Sequence, residues 1–107
     1  MLQLPTPIEA YFEAERRSDA DILVTALAND AVVRDEGATH SGIDAIRRWW
    51  LSARDAYGYT AEPMGMTANN GGILVSTKVS GRFPGSPATL TFIFYLKENK
   101  ISGLEIR

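Results

Sequence analysis

The sequence predicts an α+β fold in which three short helices come first and antiparallel strands follow, all within one domain spanning residues 1–107. Three observations point there. Apolar residues recur at three- and four-residue spacing through the first half of the chain. From about residue 60 the pattern becomes alternation rich in Val, Ile, Thr, Phe and Tyr, punctuated by Asn-Gly and Pro-Gly turns. Hydrophobic residues make up 45% and charged residues 22%, the balance of a folded chain rather than a disordered one.

Pro7 suits the first turn of a helix running to about Arg17, since its missing N–H would find no partner there anyway. Ile8, Tyr11, Phe12 and Glu15 fall on one stripe of that helix, and Arg16 and Arg17 complement its negative end. Ser18 and Asp19 offer caps for a second short helix whose buried face is Ile22, Leu23, Ala26 and Leu27. A strand is predicted at about Ala31 to Glu36. Ser41 and Asp44 have capping-box spacing and open a third helix, from about Gly42 to Arg54. Its inward stripe is Ile43, Ile46 and Trp50, with Trp49 or Ala53 beside them. Strands then follow over Thr60 to Thr67 and Gly72 to Arg82, joined by the turn Asn69-Asn70-Gly71-Gly72. The turn Phe83 to Pro87 leads into the strongest strand, Ala88 to Leu96, and Lys97 to Lys100 turns the chain into a last strand, Ile101 to Arg107.

Charge and composition exclude several classes of function. A net charge of -2 provides no basic field for a phosphate backbone, so no nucleic-acid partner is expected. The chain has no cysteine, hence no disulfide, thiol nucleophile or thiolate metal site. A single histidine cannot build a multi-histidine centre, and no metal or cofactor is expected. The start, Met1 to Ile8, lacks a basic segment and is interrupted by prolines, unlike a secretory signal. The apolar run Leu90 to Leu96 is far short of the roughly 20 residues of a spanning helix. A cytoplasmic protein with no membrane partner is the expectation. The glycine-rich pieces around residues 71 and 85 lack phosphate-loop spacing and read as turns.

Chemistry concentrates at Asp35. Strand alternation puts Ala31, Val33 and Asp35 on one face, and Val32, Arg34 and Glu36 on the other. Asp35 therefore stands on the apolar face, where a carboxylate must be hydrogen-bonded, neutralised or used. It serves either as a proton acceptor in a pocket or as a strand-end acid paired with Arg34, Arg47 or Arg48. Tyr11 could offer its hydroxyl to a developing oxyanion, or be a core aromatic. His40, in the loop ahead of the third helix, is a candidate proton shuttle at a pocket mouth or a solvated side chain. Trp49 and Trp50 point about 100° apart on a helix, so either one walls a pocket while the other packs against a neighbouring helix, or both are plain core. Phe12, Val33, Thr91 and Met64 complete the candidate lining; a thioether at Met64 suits an adaptable apolar cavity, with ordinary core as the alternative. Tyr57 and Tyr59 read as ordinary core, and Arg82 as a solvated hairpin charge.

The strand Ala88 to Leu96 presents Leu90, Phe92, Phe94 and Leu96 on one side and Thr91, Ile93 and Tyr95 on the other. Helices cover one face of a sheet, so the second apolar set predicts a homodimer through the sheet's outer face.

The segments Tyr11-Phe-Glu-Ala, Ser18-Asp-Ala-Asp, Ala28 to Asp35 and Ser41 to Ile46, in this order of elements, resemble the nuclear-transport-factor-2-like superfamily, in its SnoaL-like and ketosteroid-isomerase-like branch. The resemblance covers essentially the whole chain. It implies a cystatin-like cone, a strongly bent antiparallel or mixed sheet wrapped around three helices with a pocket between them. It also implies a general-base aspartate at Asp35 and a hydrogen-bonding tyrosine at Tyr11. The second oxyanion donor of the ketosteroid isomerases is a protonated aspartate whose place falls near Thr91 or Phe92, where this chain has no carboxylate. SnoaL-type cyclases rely on an aspartate in a later strand, and no Asp follows Asp55. Members of this fold range from isomerases and cyclases to proteins with no catalysis. The expected function is a pocket for a small hydrophobic molecule, either moving a proton next to a carbonyl or binding and carrying the ligand without chemistry. A bare dimerisation module is the third possibility.

Overall fold

A computed structural model of the chain describes residues 3–69 and 71–107. The elements run α1 (Thr6–Arg17), α2 (Ala20–Ala26), β1 (Leu27–Asp35), β2 (Ala38–Ser41), α3 (Ile43–Tyr57), β3 (Thr60–Asn69), β4 (Gly72–Ser80), β5 (Ala88–Lys97) and β6 (Lys100–Ile106). The strands form one mixed sheet in the order β2-β1-β6-β5-β4-β3, antiparallel throughout except for the parallel pair β1 and β6. The sheet is not closed. Register shifts in β1, β3 and β5 place irregularities along it, where strands bend and twist more strongly.

Local chemistry sets these boundaries. Asp19 caps α2, accepting from the backbone N–H of Asp21 at 2.9 Å and of Ile22 at 3.4 Å. α3 has no such cap: Gly42 precedes it with φ of 88° and no side chain bonds to the helix start, so the predicted capping box does not form. The helix nevertheless continues past Arg54 to Tyr57 and stops at Gly58, whose left-handed backbone returns its N–H to the Arg54 carbonyl. The loop predicted around His40 is instead the short strand β2. Glu36 and Gly37, both at positive φ, fold it back on β1. Leu27, expected in the second helix, already opens β1. Asn70 of the predicted turn lies outside the described residues.

The core lies between α1–α3 and the inner sheet face. Ile8, Tyr11 and Phe12 of α1 meet Phe92 and Phe94 of β5, with Tyr11 edge-on to Phe12 at 5.3 Å and to Phe94 at 5.4 Å. Each such ring stabilises the fold by several kcal/mol, since aromatic-to-alanine changes cost about 3–5 kcal/mol. Val33, Val75, Val79 and Leu104 complete the sheet side of this core. Among the described residues no helix is long and apolar enough to cross a membrane.

Candidate functional site

α3 has two faces with different work. Ile46 and Trp50 turn into the core. Ala45, Arg48, Trp49, Ser52, Ala53 and Ala56 recur at three- and four-residue spacing and share a second stripe. The small side chains keep this stripe shallow. Across from it stand Asp35, Glu36 and His40 of the β1–β2 hairpin, with Tyr57 and Tyr59 at the far end of the helix. Together they enclose an open cleft of about 520 Å³, within the range that holds a small organic molecule.

Asp35 reaches this cleft by strand alternation. Ala31 and Val33 are buried on the inward face, and Asp35, next in phase, is half-buried where the strand leaves the core. The Trp49 indole Nε1–H donates to its Oδ2 at 3.2 Å. No arginine forms an ion pair with it among the described residues, so its partner is a neutral donor and it remains an acceptor. His40 pairs across from Val33 and therefore shares the inward face, and its ring lies 5.7 Å from that of Trp49. Burial holds the Tyr59 phenol protonated well beyond the usual range, reinforced by the charges of Glu15, Asp35 and Glu36. The cleft thus pairs an anionic acceptor with a neutral donor.

A second carboxylate lies deeper. Glu15 follows Tyr11 by one turn on the buried stripe of α1 and is 3% exposed. Trp50 Nε1 donates to its Oε1 at 2.7 Å and Arg54 Nη1 to its Oε2 at 2.8 Å. The Arg54 guanidinium also lies 4.6 Å from the Trp50 ring centre and donates to the Glu15 carbonyl and the Ser18 hydroxyl. Desolvation raises the Glu15 carboxyl above its ordinary value, opposed by the hydrogen bond from Trp50 and the charge of Arg54. Glu15, Arg54 and Thr60 line a second cavity, of about 420 Å³, on the other side of this network.

The SnoaL-like domain model matches residues 8–103. The chain belongs to the SnoaL-like family. Among solved structures, a candidate polyketide cyclase from Sinorhizobium meliloti is 50% identical, with a TM-score of 0.93 over 97% of this chain and 95% of that one. A cystatin-fold protein from Novosphingobium aromaticivorans superposes with a TM-score of 0.78 at 19% identity, covering 100% of this chain and 99% of its own. A Catenulispora acidiphila protein of ketosteroid-isomerase-like fold, solved with trimethylamine, gives 0.79 at 18% identity over 98% and 86%. The last two matches show the fold alone. No match is found among curated protein sequences.

Within this SnoaL-like chain, the cleft brings together Asp35, Trp49 and His40 of the residues singled out from sequence. It does not gather the rest. Tyr11 is 1% exposed inside the aromatic cluster, and burial with the charges of Glu15, Tyr59 and Asp35 holds its phenol protonated. It stands behind the cleft and is not one of its walls. Phe12 and Val33 are core, and Trp50 joins α1 to α3 through Glu15. Thr91 occupies the outer face of β5, because alternation turns Phe92 and Phe94 inward, so it is no oxyanion donor. Met64 is 57% exposed on β3, away from the cleft, displaced by the register shift between Pro63 and Gly65. Tyr59, read as core, is the phenol beside the acid. Its position directly after the α3 stop signal, Gly58, is the only sequence clue. Glu15 had a clearer one: a carboxylate in phase with Ile8, Tyr11 and Phe12, the same pattern that exposed Asp35. Among the described residues no group of three or more His, Asp or Glu converges as a metal site.

Proposed function

We propose that the cleft binds a small apolar molecule bearing a carbonyl, and that Asp35 removes a proton from the carbon next to it. One arrangement supports this reading. The Asp35 carboxylate, oriented by Trp49, shares a half-buried cleft with the protonated phenol of Tyr59. As the C–H proton passes to the carboxylate, the electron pair moves onto the carbonyl oxygen. A neutral phenol can donate to that enolate without giving up its own proton, and one such donor is worth about 10²–10³ in rate. Returning the proton to another carbon isomerises the substrate. Attack of the enolate carbon on a second carbonyl of the same molecule closes a ring, its C=O π bond opening to an alkoxide that takes back the proton held by Asp35. The likeness to the candidate polyketide cyclase favours keeping ring closure beside isomerisation. Neither step needs a cofactor.

The same reading includes a second copy of the chain against the outer sheet face, where Leu74, Ile93 and Tyr95 stand together. A ligand carrier without chemistry is the alternative, favoured by the aromatic filling of the interior, which leaves an open cleft rather than an enclosed chamber.

The test is turnover of cyclisable diketones and β,γ-unsaturated ketones by the purified protein. Asp35→Asn is expected to lower the rate on an accepted substrate by about 10²–10⁴-fold, while Tyr11→Phe spares it. An Asp35→Asn variant within a few-fold of wild type removes Asp35 from the role of base. Binding without turnover by the wild type supports the carrier.

A further inference from the structure

Resting on the cleft being a ligand site, we infer that its ligand carries a carboxylate, which Arg48 and Ser52 hold on the α3 wall. Most arginines around the helices are paired: Arg16 and Arg17 with Glu13, Arg47 with Asp21, Arg54 with Glu15. Arg48, next to Arg47, forms no ion pair among the described residues. Asp44 precedes it by four positions, the spacing at which an acid and a base on a helix meet, and still no bridge forms. Among the described residues Arg48 is the only arginine or lysine that lines the cleft. Ser52 follows one turn later on the same stripe, so a hydroxyl and a guanidinium fork face the same space. A planar carboxylate takes two parallel hydrogen bonds from such a fork, a match that a neutral amide cannot make.

The cleft is also bipolar. Asp35 and Glu36 carry negative charge on the hairpin side, and Arg48 carries positive charge on the helix side. A ligand with an acid at one end is repelled from the hairpin and drawn to Arg48. Its remaining end, with the carbonyl, is thereby presented to Asp35 and Tyr59. Arg48 is in this sense a specificity residue, choosing the ligand and its orientation without touching the reacting atoms. The side chain is exposed, so salt screens the attraction.

The experiment uses 2-naphthoate and 2-naphthamide as matched probes, read through the indole N–H signals of the two tryptophans in ¹⁵N-labelled protein. Trp49 lines the cleft and Trp50 does not. The expected result is naphthoate binding about tenfold tighter than naphthamide, both moving the Trp49 signal. Arg48→Gln brings naphthoate down to the level of the amide and leaves the amide unchanged, and added salt narrows the wild-type gap. Equal binding of the two probes, or an unchanged preference in Arg48→Gln, overturns the inference while leaving the cleft as a ligand site. If neither probe moves the Trp49 signal, the ligand-site reading and this inference fall together.

Discussion

The Nε1–H of Trp49 reaches Asp35 Oδ2 across 3.2 Å, tying the wall of the cleft to a half-buried carboxylate. The bond links residues fourteen positions apart, from the middle of α3 to the last residue of β1. It engages one oxygen of the carboxylate, and among the described residues no other protein group bonds to the second. The next residue in the chain, Trp50, performs the matching task inside the molecule, donating to Glu15 at 2.7 Å. Two adjacent indoles, diverging by about 100°, thus hold two carboxylates on two different faces of one helix.

This division is directly observable. Asp35→Ala removes the acceptor of the Trp49 indole and is expected to shift its N–H proton upfield, with the Trp50 signal unmoved. Glu15→Gln does the reverse, moving Trp50 alone. A ¹H–¹⁵N spectrum in which Asp35→Ala leaves the Trp49 signal in place contradicts the bond.

Glu15 makes stability depend on pH in a defined direction. Its carboxyl is raised above the ordinary value of 4.5, chiefly by desolvation. The folded state therefore holds this proton more tightly than the unfolded chain, and ionising Glu15 in place costs stability. The contribution is fully present below pH 4.5 and is lost as pH rises through the raised folded value. Urea unfolding of the wild type and Glu15→Gln across this window is expected to show the wild type losing ground to the variant as pH increases. A wild-type advantage that grows with pH reverses the sign and refutes the account.

Much of this was legible in the chain. Period and turn chemistry placed every helix, and the phase of Ala31, Val33 and Asp35 identified the acid correctly as inward. The Trp49–Trp50 divergence followed from helix geometry alone. What the sequence could not yield was depth along the inward face. Tyr11 and Asp35 both point inward, yet one sits among Phe12, Phe92 and Phe94 and the other at the margin. That difference is decided by long-range packing of β5 against α1, which local pattern does not encode. Thr91 failed for a simpler reason, since its own alternation with Phe92 and Phe94 already turned it outward. β2 was missed because four residues are too few to display a period.

The two protected phenols can be counted. Burial keeps Tyr11 and Tyr59 protonated beyond 10.0, where a free tyrosine ionises. Tyr59→Phe is expected to leave the amplitude of the tyrosinate absorbance transition near pH 10 unchanged, because this ring takes no part in it. A loss of about one tyrosine's absorbance in the variant places Tyr59 in solvent and withdraws it as the donor.

The margin of the cleft is set by close backbone contact. Gly81 lies where the β4–β5 loop crosses the end of α3, and a Cβ there would stand 2.7 Å from the Tyr57 carbonyl oxygen. Backbone cannot swing aside as a side chain does, so Gly81→Ala is expected to destabilise by about 1–3 kcal/mol. Gly65, with open space around its Cβ position, serves as the control, and Gly65→Ala is expected to stay within about 0.5 kcal/mol. Thermal or urea unfolding of the two variants decides the point, and equal effects remove the contact as a constraint.

The outer sheet face has the geometry of a platform. The Tyr95 ring lies over the backbone at Gly72 and Gly103, where an added Cβ would come within 3.2 and 3.3 Å of it. Both glycines let the ring lie flat rather than stand up from the sheet. Leu74 and Ile93 pair beside it, and Ile93 is 8% exposed although it alternates with the inward Phe92 and Phe94. A flat apolar centre bordered by Arg34, Glu105, Glu62 and Lys78 suits a two-fold contact in which each patch meets its own copy. Sedimentation equilibrium is expected to find two chains per particle for the wild type and one for Ile93→Lys, with the circular dichroism of the fold retained. A wild type that sediments as one chain at every concentration leaves the platform solvent-facing, and Ile93→Lys then changes solubility without changing assembly.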